Sequence, residues 1–149
     1  MSLKSRLVRT NASLWSPFVL RLVLGTIMAG HGAKKLFGWF GGDGFEATIN
    51  GFRQMGFQPP ALWAGLAAGG EFFGGILLIL GLGTRLAALN TAIIMAVAAW
   101  TAHRTAFFLP AGAEFTLILF AAALVLLETG GGALSADSKI GQGVSTIKP

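Results

Sequence analysis

The stretch ALWAGLAAGGEFFGGILLILGL, Ala61 to Leu82, decides the fold. Every residue in it is apolar or glycine except one carboxylate, Glu71. A helix that crosses a hydrocarbon core of roughly 30 Å needs about 20 such residues, and this run is long enough. The proline pair Pro59-Pro60 stands at its mouth, where a missing N–H would be unpaired in any case. A tight Gly81-Leu82-Gly83 turn closes it. Glu71 lies about ten residues in, or ~15 Å along the axis at 1.5 Å per residue, near the middle of a bilayer.

Working outward, the same pattern recurs in a first stretch, about Pro17 to Phe40, and a third, about Arg85 to Phe107. The Pro110-Ala111-Gly112 break then leads to a shorter fourth, about Glu114 to Leu127. Between the first two, Phe45, Ile49, Phe52 and Met55 recur at helical spacing, with Glu46, Thr48, Asn50, Arg53 and Gln54 on the other faces. That predicts a short amphipathic helix, lying in the membrane interface or capping the helices beneath it. The expected fold is all-α: an integral membrane four-helix bundle with this short helix between helices 1 and 2. Residues 1–13 read as a basic cytoplasmic tail and 14–130 as the four-helix transmembrane domain. Residues 131–149, polar and Gly/Ser-rich, read as a flexible tail.

Composition agrees. The chain has 149 residues, 54% of them apolar and 11% charged, with a mean hydropathy of +0.70. A soluble domain carries about 25% charged residues. The absence of cysteine excludes disulfides, iron–sulfur ligation and thiolate zinc sites, and the absence of tyrosine excludes phenol chemistry. The net charge of +5 comes from scattered bases rather than a basic module, so the expected surroundings are a lipid bilayer and not nucleic acid. The first apolar stretch is too long, and with Arg21, His31 and Lys35 too charged, for a cleaved signal peptide. With the N-terminus inside, the inner segments hold Lys4, Arg6, Arg9, Arg85, Lys139 and Lys148, against Arg53, Arg104, Lys34 and Lys35 outside. This bias places both termini in the cytoplasm.

A charge at mid-membrane costs about +2.5 to +3.5 kcal/mol, so each asks for a partner or a function. Arg21, Gly25, Met28, Gly32 and Lys35 fall on one stripe of the first helix, with His31 at its edge. That stripe should face protein, and its small residues allow close helix approach. Ala88, Ala92, Ala96 and Ala99 form a stripe on the third helix that ends at His103. Glu114, Ile118, Ala121, Val125 and Glu128 share a face of the fourth. By depth, His31, Lys35, Glu71, His103 and Glu114 gather toward the outer side as a candidate polar ligand pocket. Arg21 and Glu128, near the inner surface, read as a snorkelling anchor and a helix-end charge, and Arg85, Arg104 and Lys34 as surface residues. Trp15, Trp39, Trp63 and Trp100 stand near span ends, as interfacial aromatic residues do.

At this point the residues resemble a known family. The run from Arg21-Leu22 to His31-Gly32-Ala33-Lys34-Lys35-Leu36-Phe37-Gly38 is similar to the opening motif of the DoxX family. Gly56-Phe57-Gln58-Pro59-Pro60, Gly70-Glu71, Gly74-Gly75, Leu80-Gly81-Leu82, Thr84-Arg85-Leu86-Ala87-Ala88, Ala102-His103 and Glu114 continue the similarity in order, over about residues 14 to 134. The resemblance implies a four-helix protein of the bacterial inner membrane, related to the membrane subunit of thiosulfate:quinone oxidoreductase. Other members are linked to membrane redox and oxidative-stress assemblies. It carries over His31, Lys35, Glu71, Arg85, His103 and Glu114; Arg21 and Arg85 are read as structural charges. The chain departs from the oxidase-type relatives in having no cysteine and no second soluble domain, which argues against covalent sulfur chemistry on it.

The leading functional expectation is a redox-associated subunit of a quinone-linked oxidoreductase. His31 and His103 would donate to quinone carbonyls, Lys35 would stabilise a developing anion and Glu71 would relay protons. No catalytic residue, metal site or covalently bound cofactor is assigned, and quinone is the expected ligand. Other readings are a small-molecule or lipid transporter or binding protein, a non-catalytic assembly or scaffold subunit, and a haem held by His31 and His103, the least favoured. Other membrane or redox subunits and further copies of the chain are the expected partners.

Overall fold

The computed structural model describes residues 14–102, 106–108 and 112–145, and every regular element among them is helical. In order these are α1 (Ser16–Phe37), a 3₁₀ turn at Trp39–Gly41, α2 (Gly44–Gln54), α3 (Pro60–Leu80), α4 (Thr84–Thr101), α5 (Glu114–Thr129) and α6 (Ala136–Ser145). α1 runs against α3 and α4 against α5, while α3 meets α4, α1 meets α5, and α2 leans on α1 and α3. Leu24, Met28, Leu78, Ala88, Ala92 and Leu126 lie in the buried apolar core.

Glycine sets the distance between α1 and α3. A Cβ at Gly32 would stand 2.6 Å from the Cα of Phe72, and one at Gly25 2.7 Å from the carbonyl oxygen of Gly75. Both contacts are with backbone, which cannot swing away. Between lipid-embedded helices there is little hydrophobic drive, so association relies on such close packing. The expected stripe does face protein: Arg21, Gly25, Met28 and Gly32 are buried and Lys35 is half-buried.

The helix ends follow local chemistry. α1 stops at Phe37, short of Phe40, because Gly38 takes a left-handed conformation (φ 72°) and donates its N–H to the Lys34 carbonyl. α4 ends at Thr101 rather than Phe107. α3 and α4 are long and apolar enough to cross a membrane, and only 33% of the apolar window of each is buried. The rest presents a belt of exposed side chains, among them Leu66, Phe73, Ile93 and Trp100, joined by Val23 of α1 and Ile118 of α5. A water-facing protein does not leave such a belt bare. α5, at 16 residues, spans about 24 Å along its axis, less than a straight crossing requires.

Two expectations are corrected. The segment after residue 130 is no loose tail over the part described: Gly131, Gly132, Ala133, Ser135 and Asp137 are buried, and α6 follows. Arg21 holds that segment in place. It is 1% exposed, so it does not snorkel. Its guanidinium donates to the carbonyls of Gly131 (3.0 Å), Leu78 (3.1 Å), Leu134 (3.0 Å), Ala133 and Ile79. Asp137, 2% exposed, accepts the amides of Gly83 at 2.7 Å and Thr84 at 2.8 Å, so it caps α4 from the far end of the chain. On α5, the face of Ile118, Ala121, Val125 and Glu128 is exposed, and Thr116, Leu119, Ala123 and Leu126 turn inward. The expected tail at residues 1–13 lies outside the described residues.

Gly75→Val should lower the thermal midpoint in detergent, since overpacking costs about 1–3 kcal/mol and the obstacle is the Ala29 backbone. Gly30→Ala, with nothing near its would-be Cβ, should leave the midpoint unchanged or raise it, alanine being the better helix former by about 1 kcal/mol.

Candidate functional site

The close crossing of α1 and α3 brings two charges together. Lys35 Nζ donates to Glu71 Oε1 at 2.5 Å. Glu71 is 2% exposed and the Lys35 side chain 36%, so the acid is buried and the base reaches outward. The second carboxylate oxygen, Oε2, is buried with no hydrogen-bond partner. Such an orphan costs about 1–3 kcal/mol, more when charged, and makes it the strained atom of the site.

Lys35 borders two chambers. The smaller, about 310 Å³, is lined by His31, Lys34, Lys35, Asp43, Thr48 and neighbouring glycines. The larger, about 830 Å³, is lined by Lys35, Thr48, Phe52, Trp63, Asn90 and Ile94, among others from α2, α3 and α4. Helix α2 roofs both: its Thr48 hydroxyl bonds the carbonyl of Lys35 at 3.1 Å, and its Phe52, with Met55 just beyond its end, lines the larger space. Helix α2 thus rests on α1 and α3.

Of the five residues expected to converge, Lys35 and Glu71 do. His31 lies near them, exposed, within Coulombic range of both, its ring 6.1 Å from that of Phe115. Glu114 opens α5 beside Phe115 and borders neither chamber. His103 lies outside the described residues. Arg85 bonds the carbonyls of Leu127 at 2.5 Å and Glu128 at 2.7 Å, so it closes the end of α5 rather than standing free on the surface. No group of three or more His, Asp or Glu among the described residues is placed to hold a metal.

Asn90 is the residue that sequence reasoning passed over. Its amide Nδ2 donates to the Gly70 carbonyl at 2.9 Å, one residue before Glu71, and its side chain borders the larger chamber. A lone amide in the apolar third stretch was the available signal.

The model of the DoxX family matches residues 16–104. The chain belongs to the DoxX family. A relative described as "Putative oxidoreductase CatD", from Bacillus subtilis (strain 168), is 31% identical over 125 residues, 84% of this chain and 87% of that protein. No solved structure matches. The DoxX match spans α1 to α4 and therefore Lys35, Glu71 and Asn90, whereas α5 and α6 lie beyond it.

The asymmetric burial makes the two halves of the pair unequal in this DoxX protein. Lys35→Met strands a buried carboxylate and should cost about 3–5 kcal/mol. Glu71→Gln leaves an ammonium that reaches water and should cost about 1 kcal/mol or less. Thermal midpoints of both single variants and the double variant check this, with the double variant more stable than Lys35→Met alone.

Proposed function

We propose that this DoxX protein is a multi-pass protein of the inner membrane in which α1, α3, α4 and α5 form a four-helix transmembrane bundle with both termini in the cytoplasm. We read it as the redox-associated, quinone-linked membrane subunit of an oxidoreductase. The observation that carries this reading is the Lys35 ammonium, held from behind by Glu71, in the wall of a mostly apolar chamber of about 830 Å³. Ligand sites are commonly chambers of about 300–1,000 Å³, apolar with a few fixed polar groups. A quinone has that make-up: a flat apolar ring, a hydrocarbon chain and carbonyls that need donors. Lys35 supplies one donor, and Asn90 a second through the N–H that Gly70 does not use. The relative described as a putative oxidoreductase supports the same direction. His31, on the smaller chamber, and His103 are the further proposed donors, and Glu71 holds the ammonium in place.

Trp63 borders the chamber, so its fluorescence should be quenched as decylubiquinone or a short-chain menaquinone is added to the purified protein. Affinity in the micromolar range is expected, and Lys35→Ala should weaken it about tenfold, equivalent to about 1.4 kcal/mol. No quenching by either quinone would end the quinone reading. For topology, alkaline phosphatase fused after Gln58 should be active and the same enzyme fused at the C-terminus inactive.

A further inference from the structure

Lys35 and Thr48 line both chambers, and of the two only Lys35 carries an amine. The smaller chamber is polar: His31 and Lys34 approach it from α1 and Asp43 from the loop before α2, and Lys34 and Asp43 are exposed. Its polar lining suits a vestibule for water. The larger chamber is walled mostly by apolar side chains, and among the described residues Lys35 is its only ionisable lining residue. Glu71, from α3, borders neither chamber and reaches both through the lysine it holds. Its Oε1 receives the ammonium, and its Oε2, buried and unpartnered, has room for a proton. α2 adds Thr48 and no titratable side chain to either lining.

We infer that Lys35 and Glu71 form a proton-exchange gate between the aqueous vestibule and the apolar chamber, and that the chamber takes a lipid-soluble ligand with an acidic hydroxyl or an anionic form. When such an anion enters, it replaces Glu71 as the partner of the Lys35 ammonium. The released carboxylate is then a buried charge without a counter-ion; it takes one proton from the neighbouring ammonium, and Lys35, which borders the vestibule, recovers that proton from water. The balance is one anion bound, one proton taken up, and no change of oxidation state. This inference rests on the quinone-linked reading for the class of ligand. The two-sided position of Lys35 stands apart from it.

Two experiments on the full chain test the gate. The first uses the absence of cysteine, which leaves no background thiol in the chain reconstituted in liposomes. Lys35→Cys should react with a charged, membrane-impermeant methanethiosulfonate and also with a long-chain N-alkylmaleimide held in the bilayer. Ala47→Cys, on the vestibule alone, and Ile94→Cys, on the apolar chamber alone, should each react about tenfold more slowly with one of the two, because thiol reactivity follows access. Thr48→Cys takes the place of Lys35→Cys if that variant does not fold. Reaction with only one reagent at the shared position overturns the gate.

The second measures binding of an alkyl-chain 2-hydroxy-1,4-naphthoquinone anion by calorimetry in two buffers of different ionisation heat. The wild type should take up about one proton per anion bound, and Glu71→Gln should bind the anion with no uptake. Binding to the wild type without proton uptake overturns the inference. Failure of this probe to bind counts against the quinone reading and the proposed ligand class together, and the labelling result alone then decides whether Lys35 is two-sided.

Discussion

Gly32 lies against the backbone of Phe72, and Gly75 against that of Ala29. That contact between α1 and α3 is the constraint on which the rest depends. It leaves no room for a side chain between the two helices, and it fixes their register so that Lys35 reaches Glu71 at 2.5 Å. In a bilayer, apolar surface gains little by leaving lipid for protein, so helices hold together where their backbones approach closely and their polar groups pair. The α1–α3 seam does both. A larger residue at any of these glycines would separate the helices and leave a carboxylate in mid-helix without its counter-ion.

The opposite end of the assembly is held by a different device. Arg21 donates to backbone carbonyls at the end of α3 and in the 131–134 turn, and Asp137 returns the connection by accepting the first amides of α4. Helix ends carry unpaired carbonyls and amides, and leaving them buried and unsatisfied is costly. Here two charged side chains, far apart in sequence, meet that need for three segments at once. Arg85 does the same for the end of α5. Charges near this end therefore serve the fold, and Lys35 and Asn90 stand apart from them at the chambers, with Glu71 behind the lysine.

Much of the fold is legible in the residues. The long apolar stretches, the proline at the start of α3, the glycine turns and the amphipathic repeat of α2 rest on local periodicity and backbone preference, which act within a few residues. The protein-facing stripe of α1 was readable for the same reason, since helical spacing fixes which residues share a face. The pairing of Lys35 with Glu71 could be suspected because a buried acid needs a partner. The inward face of α5 could not be chosen this way: the helix is apolar all round, so periodicity carries no signal.

What the sequence by itself determined, then, is an all-helical chain with membrane-like apolar runs, a mid-helix acid and a short amphipathic element. Only the tertiary structure decided that Glu71 meets Lys35, that α2 roofs two chambers sharing that lysine, and that Asn90 grips the helix just ahead of the acid. It also decided that the glycine-rich segment after residue 130 packs as a cap, because Arg21 and Asp137 find their partners across the whole length of the chain. The reason is one of range. Helices form from neighbours in sequence, whereas an ion pair, a chamber or a cap depends on how closely and in what register separate helices pack.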